Sequence, residues 1–577
     1  MDRRKGVLVL VVAVLAVLFL ATAGATALDT GDTPHTAASP AGFDTTLTDN
    51  HVGECATEPP EDFSDPEGGT SETIGWVDGY WYNEPLDIDG ELENPLTDDE
   101  LEELVPRTAA RVEALRCLAF EEVPPTQSTT FDDRLAEFEE EFEDVDDEYR
   151  DFANAQMKAQ LLVDTEEDAI DVEAEQRAGF GVAYYDIGES YMGFVVDEPG
   201  EFEINQVTLA HELLHALQDQ HFDILEPFQR GTNDGFVASL AVVEGDATVL
   251  DEMYEENCMT GEWEESCLEF TPDQEDPANW GDTVNLLAAY HTPLVAQTYN
   301  EDGWEGVNDL LEAYPNSTIE AIYPEQYGEF EKQNLSVSDE STDEWERIEV
   351  EGQPYDVVGQ QGLLGMLLAP TYETGGLSNV VDIDAFLQPN PGGDLQYDHP
   401  AVNGWQGDNF FAYVGDDGDR ASVWKTAWAN DQEAATFAAS YEDLIDARGG
   451  SLAEGYGNVY TFDDADGWDM AIALEHDNDR FWIVTAPTID ALTDVHDIEL
   501  LDADEVTPTP DDTTPTPADD GDDTTPADAD DGDDTTPADD GDDTTPADAD
   551  DDGAGFGVVV GALAVVLTAL FVRRQSE

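Results

Sequence analysis

Apolar side chains recur every three to four positions over Leu96–Phe120 (LTDDELEELVPRTAARVEALRCLAF), which predicts a helix with Thr97 or Asp98 as its N-cap. A second helical stretch is expected over Phe131–Leu162, with its acids gathered on one side. The pattern then shortens to β-type runs, FGVAYYD at Phe180–Asp186 and MGFVV at Met192–Val196, joined by a turn around Gly188. Helical spacing returns from about Ile204 to Gln220, with Asn205 near its start, and again over Phe236–Glu255, broken only by Gly245. Further helices are expected at Trp280–Tyr299 and Trp304–Tyr314. From Gly404 to about Leu500 strands dominate (FFAYV, SVWKTAW, RFWIVTA), with a helix over Glu433–Asp446 packed on them. This order implies an α+β protein. A mainly helical core over residues 97–403, with a small strand pair ahead of the helix at Ile204–Gln220, is followed by a small α+β subdomain over residues 404–503.

The flanks read differently. Residues 1–27 have a basic start (Arg3, Arg4, Lys5), an apolar run and a small-residue end, the plan of a secretory signal peptide. Residues 28–96 form a poorly ordered lead-in. Residues 504–552 repeat DDTTPAD-type units, in which proline and mutually repelling carboxylates leave only an extended, hydrated stalk. Gly557–Val572 is an apolar segment just long enough to span a bilayer, and Arg573 and Arg574 follow it on the expected cytoplasmic side. The junction Gly553-Ala-Gly-Phe-Gly557 is similar to the Pro-Gly-Phe sorting signals recognised by archaeosortases, with Ala554 where proline usually stands. Residues 553–577 are therefore a transmembrane or sorting tail, and the bulk of the chain is held outside the cell, anchored at its C-terminus.

Charge narrows the partners. The chain carries 136 Asp+Glu against 19 Lys+Arg, a formal charge of -117. Nucleic acid is effectively excluded, because phosphate binding needs clustered cations. At about 1 M salt the Debye length falls to roughly 3 Å and most self-repulsion disappears. Scarce lysine (Lys5, Lys158, Lys332, Lys425) on an acidic surface resembles the proteomes of extremely halophilic archaea. Four cysteines, Cys55, Cys117, Cys258 and Cys267, without any C-x-x-C, suggest two staples, Cys55–Cys117 and Cys258–Cys267. Sequons at Asn316 and Asn334 are compatible with surface glycosylation.

The chemistry lies in TLAHELLHALQDQHFD, Thr208–Asp223. His211 and His215 stand one helical turn apart, so both imidazoles project from one face and can share a zinc ion. Glu212, beside His211, can act as general base toward a water activated by that ion. A catalytic zinc takes three protein ligands and one open position. Two residues compete for the third place. Glu244 sits among apolar neighbours in LAVVEGDATVL, where a buried carboxylate needs a counter-charge or a metal. His221 has the spacing of the metzincin motif, but Gln218 replaces its turn glycine. A continuing helix would leave residue 221 roughly 80° off the face of His211.

HELLHALQDQHFD followed by VVEGDAT resembles the gluzincin clan of zinc metallopeptidases, and more closely a group of exported prokaryotic proteins sharing the A-L-Q-D-Q-H-F run and an E-G-D-A segment. The likeness extends to Gly303-Trp-Glu-Gly-Val-Asn308, Pro324-Glu-Gln-Tyr327 and Gly404-Trp-Gln-Gly-Asp408, spanning roughly Phe180–Leu500. It implies a zincin-like core and a zinc peptidase acting on polypeptides, with His211, His215 and Glu244 as metal ligands and Glu212 as the base. The clan often places an Asp four residues after the ligand Glu; here that position is Thr248. Asp246, Asp251 or Asp219 could orient a ligand imidazole instead. Tyr254, His291 and His399 are candidates for stabilising an oxyanion. A non-catalytic stalked surface protein with a structural or vacant metal site is the alternative.

Overall fold

The computed structural model of this 577-residue chain describes residues 11–13 and 55–503, apart from 67–68, 87–93, 144, 180–181, 199, 226–230, 261–262, 264–266, 271–277, 291, 351, 375–376, 379, 382–398 and 463–466. The stalk, the tail and most of the expected signal peptide lie outside the described residues. So does His291.

Helix α1 (Asp98–Arg116) starts on the expected cap: Thr97 and Glu100 form a reciprocal capping box. It ends at Cys117, whose left-handed φ of 65° closes the helix, and Cys117 is disulfide-bonded to Cys55. Ahead of it, β1 (Val11–Ala13) is a short edge strand of the first sheet, and β2 (Trp76–Val77) pairs with β3 (Tyr80–Trp81). The stretch expected as one helix over Phe131–Leu162 is two, α2 (Phe131–Glu143) and α3 (Asp147–Ala159), with Asp146 at the N-cap position of the second. Like charges three and four apart in EEEFEDVDDE disfavour a continuous helix, and Asp favours a cap.

Strand β4 (Thr126–Thr129) and the hairpin β5 (Ala183–Asp186) and β6 (Tyr191–Val195) complete the first sheet, with helix α4 (Ala169–Gly179) between β4 and β5 in the chain. Its order is β1-β5-β6-β4, with β4 parallel to β6 and the other pairs antiparallel. Tyr184 and Gly193 face each other in register. A Cβ on Gly193 would lie 2.0 Å from Tyr184 Cζ, so the tyrosine ring occupies the space that glycine leaves.

Helices α5 (Gln206–Phe222) and α6 (Asn233–Thr260) form the centre of this lobe. Asn205 caps α5 by accepting from the amides of Val207 and Thr208. Both helices are packed on most sides, so neither shows a clean amphipathic stripe. Pro293, favoured in the first turn of a helix, divides the stretch expected over Trp280–Tyr299 into α7 (Trp280–Tyr290) and α8 (Pro293–Glu312). The expected helix from Trp304 is the far half of α8, beyond a kink where Gly303 has φ 64°. A short α9 (Thr318–Ile322) follows.

The second lobe holds a seven-stranded antiparallel sheet of order β10-β11-β12-β13-β9-β8-β7. It is built from β7 (Trp345–Arg347), β8 (Trp405–Gly415), β9 (Arg420–Trp428), β10 (Ser451–Leu452), β11 (Val459–Thr461), β12 (Ala471–Asp477) and β13 (Arg480–Ala486). Three helices complete it: α10 (Gly359–Glu373), α11 (Asp431–Ala447) and α12 (Ile489–Val495). Alternation along β8 sends Phe410 into a core with α3, α10 and α11, and Phe411 into one with α12. Asp408 joins the sheet to α10, accepting from the amides of Val358 (2.9 Å) and Gly359 (3.0 Å) and from the indole N–H groups of Trp405 (3.1 Å) and Trp424 (3.0 Å).

The protein is α+β, as the pattern predicts. Both expected disulfides, Cys55–Cys117 and Cys258–Cys267, are present. Among the described residues no helix is long and apolar enough to cross a membrane; the segment expected to do so lies beyond them.

Candidate metal centre

Helix α5 presents His211 and His215 one turn apart, and α6 crosses it with Glu244 facing them. Each of the three offers a ligand atom, and these atoms all lie within 4.8 Å of one another. Glu244 Oε2 is 3.3 Å from His211 Nε2 and 3.5 Å from His215 Nε2. The two rings meet edge to face at 4.7 Å between centroids. All three side chains are at most 1% exposed. Gly245, next to Glu244, lets α8 pack closely on α6: a Cβ there would sit 2.7 Å from Cγ2 of Val295 in α8.

Each imidazole is held from behind. His211 Nδ1 lies 2.7 Å from Asp251 Oδ2, and His215 Nδ1 lies 2.8 Å from Gln218 Oε1. A ring that donates from Nδ1 to such acceptors turns the lone pair of Nε2 forward, the form in which histidine binds metal. Nε2 of His215 and Oε1 of Glu244 have no hydrogen-bond partner among the described residues. Buried lone pairs facing one another are costly unless a cation lies between them.

The electrostatics agree. Burial works against a charged His211 ring, but Asp251 and Glu244 outweigh it and hold the imidazole well above its ordinary range. Burial would push the Glu244 carboxyl up, yet the rings of His215 and His211 hold it down at about 2. The carboxylates thus favour positive charge at the cluster, whether a ring proton or a metal cation supplies it. Two neutral imidazoles and a carboxylate are a donor set that suits zinc, and the orphaned lone pairs fit such an ion.

Glu212 is buried, one residue after His211, and its Oε2 accepts from the amide of Tyr185 in β5 at 2.9 Å. The other expected residues fall elsewhere. His221, the competing third ligand, is not with the cluster: its Nε2 lies 2.8 Å from the carbonyl of Ala119, because α5 runs on to Phe222 and carries residue 221 off the ligand face. Asp219 accepts from the Tyr185 hydroxyl at 3.0 Å rather than holding an imidazole. Tyr254 OH accepts from Gln206 Nε2 at 2.9 Å, and His399 Nδ1 accepts from the Ala401 amide at 3.1 Å within its own loop.

Sequence reasoning left the choice among Asp246, Asp251 and Asp219 open, although Asp251 is seven residues from Glu244 and so on the same helical face. It missed Gln218 as a partner of His215, having weighed that residue only as a missing turn glycine.

Residues 346–496 match the model of a family described as a domain of unknown function (DUF8575). The match begins within β7 and ends just past α12, so it covers the second lobe and leaves His211, His215 and Glu244 outside. No curated protein and no solved structure matches the chain.

Proposed function

We propose that the chain is an exported, cell-surface zinc peptidase of the gluzincin type, anchored through its C-terminal segment and acting on polypeptides. The observation that carries this reading is the convergence of His211, His215 and Glu244, from two helices, on one buried point with unpartnered lone pairs. These three residues would hold the ion, which when bound supplies Lewis acidity toward water and a carbonyl oxygen. The chain's own groups do the rest. Asp251 and Gln218 keep both rings in the ligating orientation. Glu212, tied to β5 through the Tyr185 amide, takes the proton of the attacking water and returns it to the leaving amine.

Strand β5 is where an extended substrate would lie. Its outer edge already accepts one extended segment, β1, antiparallel, with Val12 opposite Tyr185. A peptide standing in the place of β1 would use main-chain hydrogen bonds and pass beside the residue that anchors Glu212.

A second reading has its own support. The three ligands are at most 1% exposed, whereas a catalytic zinc keeps an open position. A metal site that only braces α5 against α6, in a non-catalytic surface protein, accounts for that burial. Substituting Glu212→Gln separates the two: hydrolysis of an unfolded protein substrate in multimolar salt is lost with zinc retained if the chain is a peptidase. Activity surviving in that variant refutes the assigned base, and no activity in the zinc-loaded wild type favours the bracing role.

A further inference from the structure

Behind His215 runs a buried polar chain whose direction is set from its far end. Arg116, the last residue of α1, has only donors. Its Nε donates to Asp246 Oδ1 at 2.8 Å, its Nη2 donates to Asn308 Oδ1 at 2.7 Å, and its guanidinium lies 4.4 Å from the ring centroid of Trp304. Asp246, next but one to Glu244 on α6, accepts at both oxygens. Oδ1 takes Arg116 and Oδ2 takes Gln218 Nε2 at 2.8 Å. The second hydrogen of that amide goes to the carbonyl of Val243 at 3.0 Å. Both hydrogens of Gln218 Nε2 are thus committed, so Oε1 must face His215 Nδ1, and His215 must donate there. Arg116, Asp246, Gln218 and His215 are all fully buried, so water cannot substitute for any link.

We propose that Arg116, Asp246 and Gln218 are positioning residues that fix the ring proton of His215 on Nδ1 and so keep its Nε2 open to metal. The inference rests on the metal-binding part of the reading above and is independent of peptidase activity. It also gives the VVEGDAT segment two jobs two residues apart on α6: Glu244 supplies a ligand and Asp246, through Gln218, orients the opposing one.

The orientation can be inverted without changing side-chain volume. In Asp246→Asn, Arg116 retains an oxygen acceptor, so the new amide must turn its NH2 toward Gln218 Nε2, donor against donor. The Gln218 amide then turns over, giving up its bond to the Val243 carbonyl, and offers NH2 to His215 Nδ1, and the ring proton moves to Nε2, where it blocks the ligand position. Adding Gln218→Glu restores acceptors for the NH2 at position 246 and the N–H of His215, at the cost of the bond to the Val243 carbonyl.

The test measures zinc affinity by chelator competition in multimolar salt, in the full chain. The His215 tautomer is read by nitrogen NMR of histidine-labelled, metal-free protein at alkaline pH, with circular dichroism as the fold control. Asp246→Asn should bind zinc about 10–100-fold more weakly and show the Nε2-protonated ring. The double variant should recover the wild-type tautomer and part of the affinity. Unchanged affinity in Asp246→Asn, or a double variant that keeps the Nε2-protonated ring, overturns the proposal, since a purely structural role does not set the His215 tautomer. If the wild type takes no zinc, the metal reading itself falls, a result distinguishable from either.

Discussion

Gly245→Ala pits two effects of opposite sign. Glycine inside a helix costs about 0.5–1 kcal/mol relative to alanine, so propensity alone predicts that the variant is stabilised. The packing predicts the reverse. The added Cβ would stand 2.7 Å from Val295 Cγ2 and 2.9 Å from Val295 Cβ, whereas carbon atoms rest at about 3.5–4.0 Å. Val295 is fully buried and, being β-branched, has little rotamer freedom with which to yield. Relief requires α6 and α8 to separate by about 1 Å, and overpacking of that kind costs about 1–3 kcal/mol. The net expectation is destabilisation by about 1–2 kcal/mol, with weaker zinc binding because Glu244 moves with its neighbour. Chemical denaturation of Gly245→Ala, Val295→Ala and the pair gives the coupling directly. The two substitutions should offset one another, the pair being less destabilised than the sum of the singles. A stabilised Gly245→Ala, additive with Val295→Ala, would refute the close approach of α8.

Four other outcomes follow. Asp251→Ala should weaken zinc binding about 10–100-fold by freeing the His211 ring, measured by chelator competition; Asp219→Ala should leave it unchanged. Burial raises the Glu113 carboxyl to about 8 from an ordinary 4.5, against the amides of Phe120 and Gly75 that favour its ionised form. Its folded-state value lies above the unfolded one, so its contribution is fully present below about 4.5 and is lost as pH rises through about 8. Urea titrations should therefore show the wild type losing stability relative to Glu113→Gln across that window, and a pH-independent difference would contradict this. Loop-closure entropy makes the Cys55–Cys117 bridge, with a separation of 62 residues, worth about 4 kcal/mol, and Cys258–Cys267, with a separation of 9, under about 3 kcal/mol. Paired Cys→Ser variants should rank in that order by melting. Finally, a formal charge of -117 predicts that the fold loosens below about 0.1 M salt and recovers at multimolar salt, followed by circular dichroism.

Where the sequence was legible, a single physical signal dominated. His211, His215 and Glu244 stood out because a histidine pair at one-turn spacing and an acid among apolar residues are both costly without a shared purpose. Elements whose stability comes from tertiary packing were harder to see. Strand β4 is TQST, largely exposed and without apolar alternation, and it exists because β6 lies beside it in parallel. Helix α10, GQQGLLGMLLAPTYE, carries three glycines and a proline; it is anchored at its start by Asp408 and buried along nearly its whole length, so no amphipathic stripe marks it. The Gly404-Trp-Gln-Gly-Asp408 run was visible as a motif, but its role as the joint between sheet and α10 depends on residues some fifty positions away. Gln218 is the sharpest case. Its meaning depends on Asp246 and Arg116, brought in from two other helices, and no local spacing encodes that.

The central claim is that His211, His215 and Glu244 together hold one metal ion. Zinc quantification on the chain purified in multimolar salt tests it most directly, with His215→Ala and Glu244→Ala alongside. About one zinc per chain in the wild type, and little in either variant whose fold is intact, is the expected result. Equal zinc in all three proteins, or none in the wild type after incubation with the metal, contradicts it.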